Sequence, residues 1–427
     1  MRNFAHVLTF LLLAKASDLS GQSLTAQPRS FVSPQLVSTL DGAILLAPDG
    51  SLWVWGGNHK QQAPGFLGSS QVSEVPERFG SESTWSSIAA SFTFALAVKA
   101  DGSLWGWGFN YSGQLGRPKS KNLVPKPTRI GLENDWAQIS VGAGHCLALK
   151  TDGSLWAWGQ NEDGQVGDGT TKDAISPIRI GSAKDWKAIA ASGFGSYALK
   201  RDHSLWAWGD CDSGHQEFAR SLNGSPPSKF GSGTNWTSIF AGDFFVLALK
   251  ADGTLWIGGP NAHSVVRQDS IPQSGAPPAQ VGERSNWAEV FAGAGSFFAR
   301  KSDGRFFACG HNSCRQLGLD TDVLASTPER VFLDLDPWAF AAGWGNTLAL
   351  TKDGKLLTWG KRLGSDKYPA IVQAKQTLNN YIDRHSGRLP FRIQPFDVEG
   401  FTIDRAPFVL WELPAGLRRS ILNEGVK

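Results

Sequence analysis

Seven aspartates are the first candidates for chemistry. Asp49, Asp101, Asp152, Asp202, Asp252, Asp303 and Asp353 recur at intervals of 52, 51, 50, 50, 51 and 50 residues, and a ring of carboxylates would suit metal binding or acid–base work. Each is followed by glycine, or once by His203, and a side chain that bonds its own backbone in a tight turn accounts for that pair without any ligand. Cys309, His311 and Cys314 offer metal-ligand atoms at close spacing, with Cys211 and His215 as a sparser second set. Cys309 stands where other repeats place tryptophan, so it is read as core rather than coordination. No glycine-rich phosphate loop precedes a helix, and no Gly-x-Ser-x-Gly nucleophile motif occurs. Nothing is therefore assigned to catalysis, to a metal or to a cofactor.

The remaining candidates are aromatic. The loop just before each Ala-Leu strand carries Phe92, Phe94, Phe194, Phe244, Phe245, Phe297 and Trp344, with Phe298 beside Phe297. Gathered on loops at one end of a rigid ring, such side chains give large contact area at small entropic cost, the composition of a protein-binding surface. Phe245 and Phe298 are the members best suited to point inward and pack instead.

The elements that position these residues follow from the repeat. With 49 Gly, 22 Pro, 18 Trp, one Met and 19% charged residues, the composition describes many short strands and tight turns with aromatic burial. A period near fifty residues means a solenoid or propeller. Four residues after the Asp stand Trp53, Trp105, Trp156, Trp206 and Trp256, and two further on Trp55, Trp107, Trp158, Trp208 and Trp359. Trp85, Trp136, Trp186, Trp236 and Trp287 lie sixteen before it, with Trp338 one out of step. Leu147-Ala148-Leu149, the Asp-Gly turn and Leu155-Trp156-Ala157-Trp158 form a hairpin whose two indoles share one face, toward the neighbouring blade. A further strand is led by Pro127, Pro177, Pro227, Pro278 and Pro328, and proline suits an edge.

The expected fold is all-β, a seven-bladed β-propeller over residues 33–373. Ser33 to Pro48 match the Trp-led strand pair, and the missing Pro-led strand is expected from Tyr368-Pro369-Ala370-Ile371-Val372, so that a C-terminal strand completes the first blade. Residues 374–427 form an appendage, with short strands at Phe391-Arg392-Ile393 and Phe408-Val409-Leu410-Trp411.

The pattern Asp-Gly-Ser-Leu-Trp-x-Trp-Gly-x-Asn followed by Gly-Gln-Leu-Gly is clearest from Asp101 to Gly116, and Asn161, Gly164, Gln165, Gly167, Asn312, Gln316, Leu317 and Gly318 repeat its second half. It resembles the regulator of chromosome condensation repeat family over about residues 33–373. The resemblance implies the propeller; its members include a nuclear exchange factor for a small GTPase and secreted bacterial propellers that inhibit β-lactamases. The family's His survives only as His145, with Phe94, Gly195, Phe245, Ser296 and Asn346 at the equivalent places, so no exchange-factor residue is carried over.

Arg2, the apolar Phe4 to Leu13 and Ala14-Lys15-Ala16 read as a signal peptide over residues 1–16, with a linker over 17–32. The apolar run is far below the roughly twenty residues that span a bilayer, so no stable membrane anchor is expected. Export would make the protein secreted or periplasmic. A net charge of +3 without a basic block gives no footprint for nucleic acid. The leading reading is a non-catalytic extracytoplasmic module that presents loop aromatics to a protein partner. A carbohydrate-binding lectin, a polysaccharide-acting enzyme and, last, a guanine nucleotide exchange factor stand as alternatives.

Overall fold

A computed structural model describes residues 32–39, 42–56, 73–211, 225–260, 262–266, 278–283, 285–319, 321–322, 324–331, 337–361 and 403–414. Among these residues twenty-eight strands form seven four-stranded antiparallel sheets, each a blade. Blade 3 shows the plan: inner strand Trp136–Val141, second strand His145–Lys150, third strand Leu155–Gly159 and outer strand Ala174–Arg179. The Asp-Gly turn joins the second and third strands at one end of the ring, and the turn between inner and second strands lies at the other.

The Asp-Gly end repeats one small machine. Asp152 Oδ1 accepts from Ser154 N at 2.9 Å and Ser154 Oγ at 2.6 Å, and Ser154 Oγ accepts from Trp156 Nε1 at 3.0 Å. Lys150 Nζ then covers the Trp136 and Trp156 rings at 4.8 and 4.3 Å. The glycine supplies a positive φ, +79° at Gly153, which glycine adopts without a Cβ clash. His203 takes the same position at φ 63° and is held by Nδ1, 3.0 Å from Trp236 O. The seven aspartates are thus turn residues spread around the rim.

The second tryptophan of each pair is the inter-blade wedge. Trp107, Trp158, Trp208 and Trp359 are essentially fully buried, and Trp158 packs with Phe94, Leu96 and Leu115 of the preceding blade. Trp158 Nε1 donates to Gln114 O and Trp208 Nε1 to Gln165 O, both at 2.9 Å. The Asn and Gln of the repeat build that acceptor. Asn110 Oδ1 takes the Leu115 N–H, and Gln114 Oε1 takes the Ser112 N–H, each at 2.9 Å, which turns the loop so that its carbonyl faces the next indole.

Pro177 and Pro328 lie within outer strands, the edge position where a missing N–H breaks no ladder. Closure differs from the expected clasp. Blade 1 is complete in itself, from Gln35–Ser38 through Gly42–Leu46 and Leu52–Gly56 to Ser73–Arg78. Its outer strand contains Pro76, which stands 51 residues before Pro127 and opens the proline series. Tyr368–Val372 lies outside the described residues, as do residues 1–31 and His215. The late strand, Ile403–Glu412, pairs with Lys355–Lys361 of blade 7, so this part of the expected appendage belongs to the ring. Blade 1 meets blade 7 side chain to side chain: Leu36, Leu45 and Trp55 pack against Leu348, Leu350 and Leu356.

Candidate functional site

At the end opposite the Asp-Gly turns, the inner strand of each blade reverses into the second through four residues. The first residue's N–H donates to the fourth residue's C=O: Ser91 to Phe94, Gly142 to His145, Gly242 to Phe245, Gly293 to Ser296 and Gly343 to Asn346, all at 2.8 to 2.9 Å. In blade 4, Ser192 and Gly195 pair in the same way. The third residue's carbonyl is tied to the end of the third strand, for instance Thr93 O to Phe109 N and Gly144 O to Gln160 N at 2.9 Å. The backbone is constant, and the side chains are free to vary.

Turn position decides where each expected aromatic goes. Fourth-position residues begin the second strand and point between blades. Phe94 and Phe245 are accordingly fully buried, and Phe297, one residue past Ser296, is too. Phe94 packs with Trp136 and Trp158, whereas Phe245 and Phe297 pack with Trp287. These three offer no surface, which corrects their assignment to a binding set. Phe298 is equally buried, against Phe340 and Trp359 at ring distances of 4.8 and 6.2 Å.

Third-position Phe194 and Phe244 are 2% and 6% exposed, face each other at 6.5 Å, and form a cluster with Ala143 that is flanked by Trp344. Second-position Phe92 and Trp344 are half-buried and meet edge to face at 5.7 Å. Trp344 of blade 7 therefore reaches toward residues of blades 2, 3, 4 and 5. The expected set divides into a buried trio, a nearly buried pair and an accessible pair.

Below this end lies a channel of about 310 Å3 lined by the inner strands of the blades and by Phe92, Ala143, Gly193, Asp243, Ala294 and Trp344 from second turn positions. The walls are chiefly Ala, Val and Phe, among them Val141, Ala241, Val290, Phe291 and Phe340. Asp243 is the one charged group among the described lining residues. Its covered Oδ2 makes no hydrogen bond of good geometry. Burial pushes its carboxyl up to about 7, with the Trp344 side chain pulling the other way. Sequence reasoning missed Asp243. Aligning the seven turns by column would have shown it as the single acidic residue among Leu40, Phe92, Ala143, Gly193, Asp243, Ala294 and Trp344.

His145 is a structural residue. Ser196 Oγ donates to Gln165 O at 2.7 Å, so it accepts from His145 Nε2 at 2.9 Å, which fixes the tautomer. Burial holds the imidazole down to about 3, hence neutral. Cys309 is a buried thiol beside Val265 O and Ala325 O, and burial raises its ionisation well above the usual range. Cys314 is also free and buried. Among the described residues no three His, Cys, Asp or Glu side chains gather as a metal site.

Two family models described as the regulator of chromosome condensation (RCC1) repeat match the chain. One covers residues 101–149 and 152–199, the other 85–114, 136–165 and 339–361. Among curated proteins, the chain is similar to the ultraviolet-B receptor UVR8 of Arabidopsis thaliana, 34% identical over 131 residues, which are 30% of this chain and 29% of that protein. It is also similar to the RCC2 homolog of Xenopus laevis, 39% identical over 82 residues, 19% of this chain and 16% of that one. The matched segments span less than a third of either relative. Among solved structures, yeast RCC1 (Prp20), bound to Kap60, aligns over 98% of this chain and 100% of its own at a TM-score of 0.65 and 16% identity. Human WBSCR16 aligns over 72% and 84% at a TM-score of 0.61 and 19% identity. Likeness at these identities shows the propeller fold.

Proposed function

The chain belongs to the seven-bladed propellers built from regulator of chromosome condensation repeats, and from that premise we propose that it is a non-catalytic module that docks a protein partner on the end bearing Phe92 and Trp344. The observation that carries this reading is the contrast within each turn, where a fixed hydrogen-bonded backbone holds freely varying second-position side chains. A rigid frame with variable side chains is how binding surfaces are diversified without loss of fold. Fold neighbours support a protein as the partner: yeast RCC1 is seen with Kap60, and Prp20p of Saccharomyces cerevisiae has binding properties to Gsp1p and histones. A glycoside hydrolase would need two facing carboxylates, and Asp243 is the single one among the described channel-lining residues.

We place the module outside the cytoplasm, on the strength of Arg2, Phe4 to Leu13 and Ala14-Lys15-Ala16. The test is capture of partner by the mature chain and by a Phe92→Ala/Trp344→Ala variant. Loss of capture at a nearly unchanged melting temperature supports the reading, and full capture by the variant overturns it. Mass spectrometry of the native protein checks the setting, with a first residue after Ala16 expected.

A further inference from the structure

We propose that the channel mouth is a binding site for an amine carried on an aliphatic stem, with Asp243 as counter-ion, Phe92 and Trp344 as aromatic walls and the apolar inner strands around the stem. The inference deepens the docking proposal by naming the chemistry of that end, yet it is read on the pure protein and so stands or falls without any partner.

Three observations converge. First, the channel is apolar except for one carboxylate at its mouth, a pattern complementary to a molecule with one cationic end and a hydrocarbon body. Second, the Asp243 side chain is half-buried at the channel, and its covered Oδ2 makes no hydrogen bond of good geometry, with the Trp344 side chain as its donor neighbour. A carboxylate so placed is unfavourable until an opposite charge arrives, and an ammonium supplies both charge and N–H donors. Third, the face of an indole attracts cations, and Trp344 lies against Asp243 on one side and the Phe92 ring, at 5.7 Å, on another. A divalent metal is a poorer match, because it wants several oxygen ligands and the site offers one carboxylate. Size permits the stem: five non-hydrogen atoms at roughly 30 Å3 each need about half of the channel, whose volume is about 310 Å3.

The same chemistry has two sources, a free alkylamine and the lysine side chain of a protein. Among the described residues, no other titratable or charged group lines the channel from any blade; the neighbouring polar side chains are Ser38, Thr39 and Ser91. Binding should therefore follow the ionisation of Asp243 alone, since the amine stays charged throughout.

The test uses the full chain with n-butylammonium and its neutral counterpart n-butanol, measured by calorimetry and saturation-transfer NMR. At pH 8 butylammonium should bind at least about tenfold more tightly than butanol, and Asp243→Asn should bring the two within about twofold. From pH 8 to pH 5.5 butylammonium should weaken roughly tenfold or more while butanol does not change. Ala294→Leu, which crowds the mouth from blade 6 and leaves the carboxylate in place, should weaken both probes. Binding of the peptide acetyl-Gly-Lys-Gly-amide alongside butylammonium assigns the site to a lysine side chain, and butylammonium without the peptide assigns it to a free amine. Equal affinity for amine and alcohol, undiminished amine binding by Asp243→Asn in a folded protein, or binding of neither probe overturns the proposal.

Discussion

The two ends of the ring are built on opposite rules. At the Asp-Gly end the side chains repeat: Asp101, Ser103 and Trp105 make the same three hydrogen bonds as Asp202, Ser204 and Trp206. At the other end only the backbone bond repeats, and the residue in the second turn position runs from glycine at Gly193 to tryptophan at Trp344. Where the polar atoms satisfy one another, little chemistry is left over for a ligand. The end that leaves side chains unconstrained is the one that keeps a half-buried carboxylate, an accessible aromatic pair and an open mouth.

The comparison can be broken most forcefully at the wedges beneath it. Trp158→Ala removes a fully buried indole and its bond to Gln114 O, and should cost about 3–5 kcal/mol in denaturant unfolding. The half-buried Trp156, truncated in the same way, should cost far less. Within the uniform end, Gly102→Ala meets two obstacles, a φ of +78° and a Cβ that would collide with Asn134 O; a loss of about 3 kcal/mol is expected. Gly304→Ala has a similar φ but nothing within 4 Å, and should cost only about 1 kcal/mol. Equal losses at the two glycines would remove steric contact between blades from the account.

At the variable end the sign reverses. Burial holds the Asp243 carboxyl at about 7 when folded, well above the usual carboxylate range, so between these values the native state keeps a proton that the unfolded chain releases. Stability should fall as pH rises from about 4 to 7 and then level off. Asp243→Asn should accordingly raise stability at pH 8, by on the order of 2 kcal/mol, with little change at pH 4. Asp152 behaves oppositely, because the Ser154 hydroxyl and the Lys184 ammonium pull its carboxyl down. Its stabilising contribution is present above the unfolded value and is lost as acid protonates it. Asp152→Asn should give the smallest effect of the series, a slight loss at neutral pH that vanishes in acid unfolding curves.

How much of this was legible in the residues depended on whether a position repeats the same physics. Five of the seven blades press a third-strand indole into their neighbour, with Gly258 and Cys309 in that place in the other two, so the tryptophan columns and Asp-Gly turns announced seven blades without reference to any fold. The clasp was misread because the expected series of prolines began at Pro127; with Pro76 included, blade 1 has its own fourth strand. Blade 7 hid its fourth strand for another reason, since 41 residues separate Lys361 from Ile403. The aromatic set was harder still. Phe92 and Phe94 are two residues apart, yet one borders the channel and the other fills the gap between blades. Only the turn geometry tells the second position from the fourth, and only that column isolates Asp243.

The self-contained first blade bears on how the wheel yields. Six of its seven junctions are crossed by the polypeptide itself, as between Ile130 and Trp136, so neighbours there stay tethered even when their side chains part. Between blades 1 and 7 the grip is Leu36, Leu45 and Trp55 on their partners, with Ser38 Oγ donating to Asn346 Oδ1 at 3.2 Å. A transient gap should therefore open first at that joint, giving a sideways entrance to the channel.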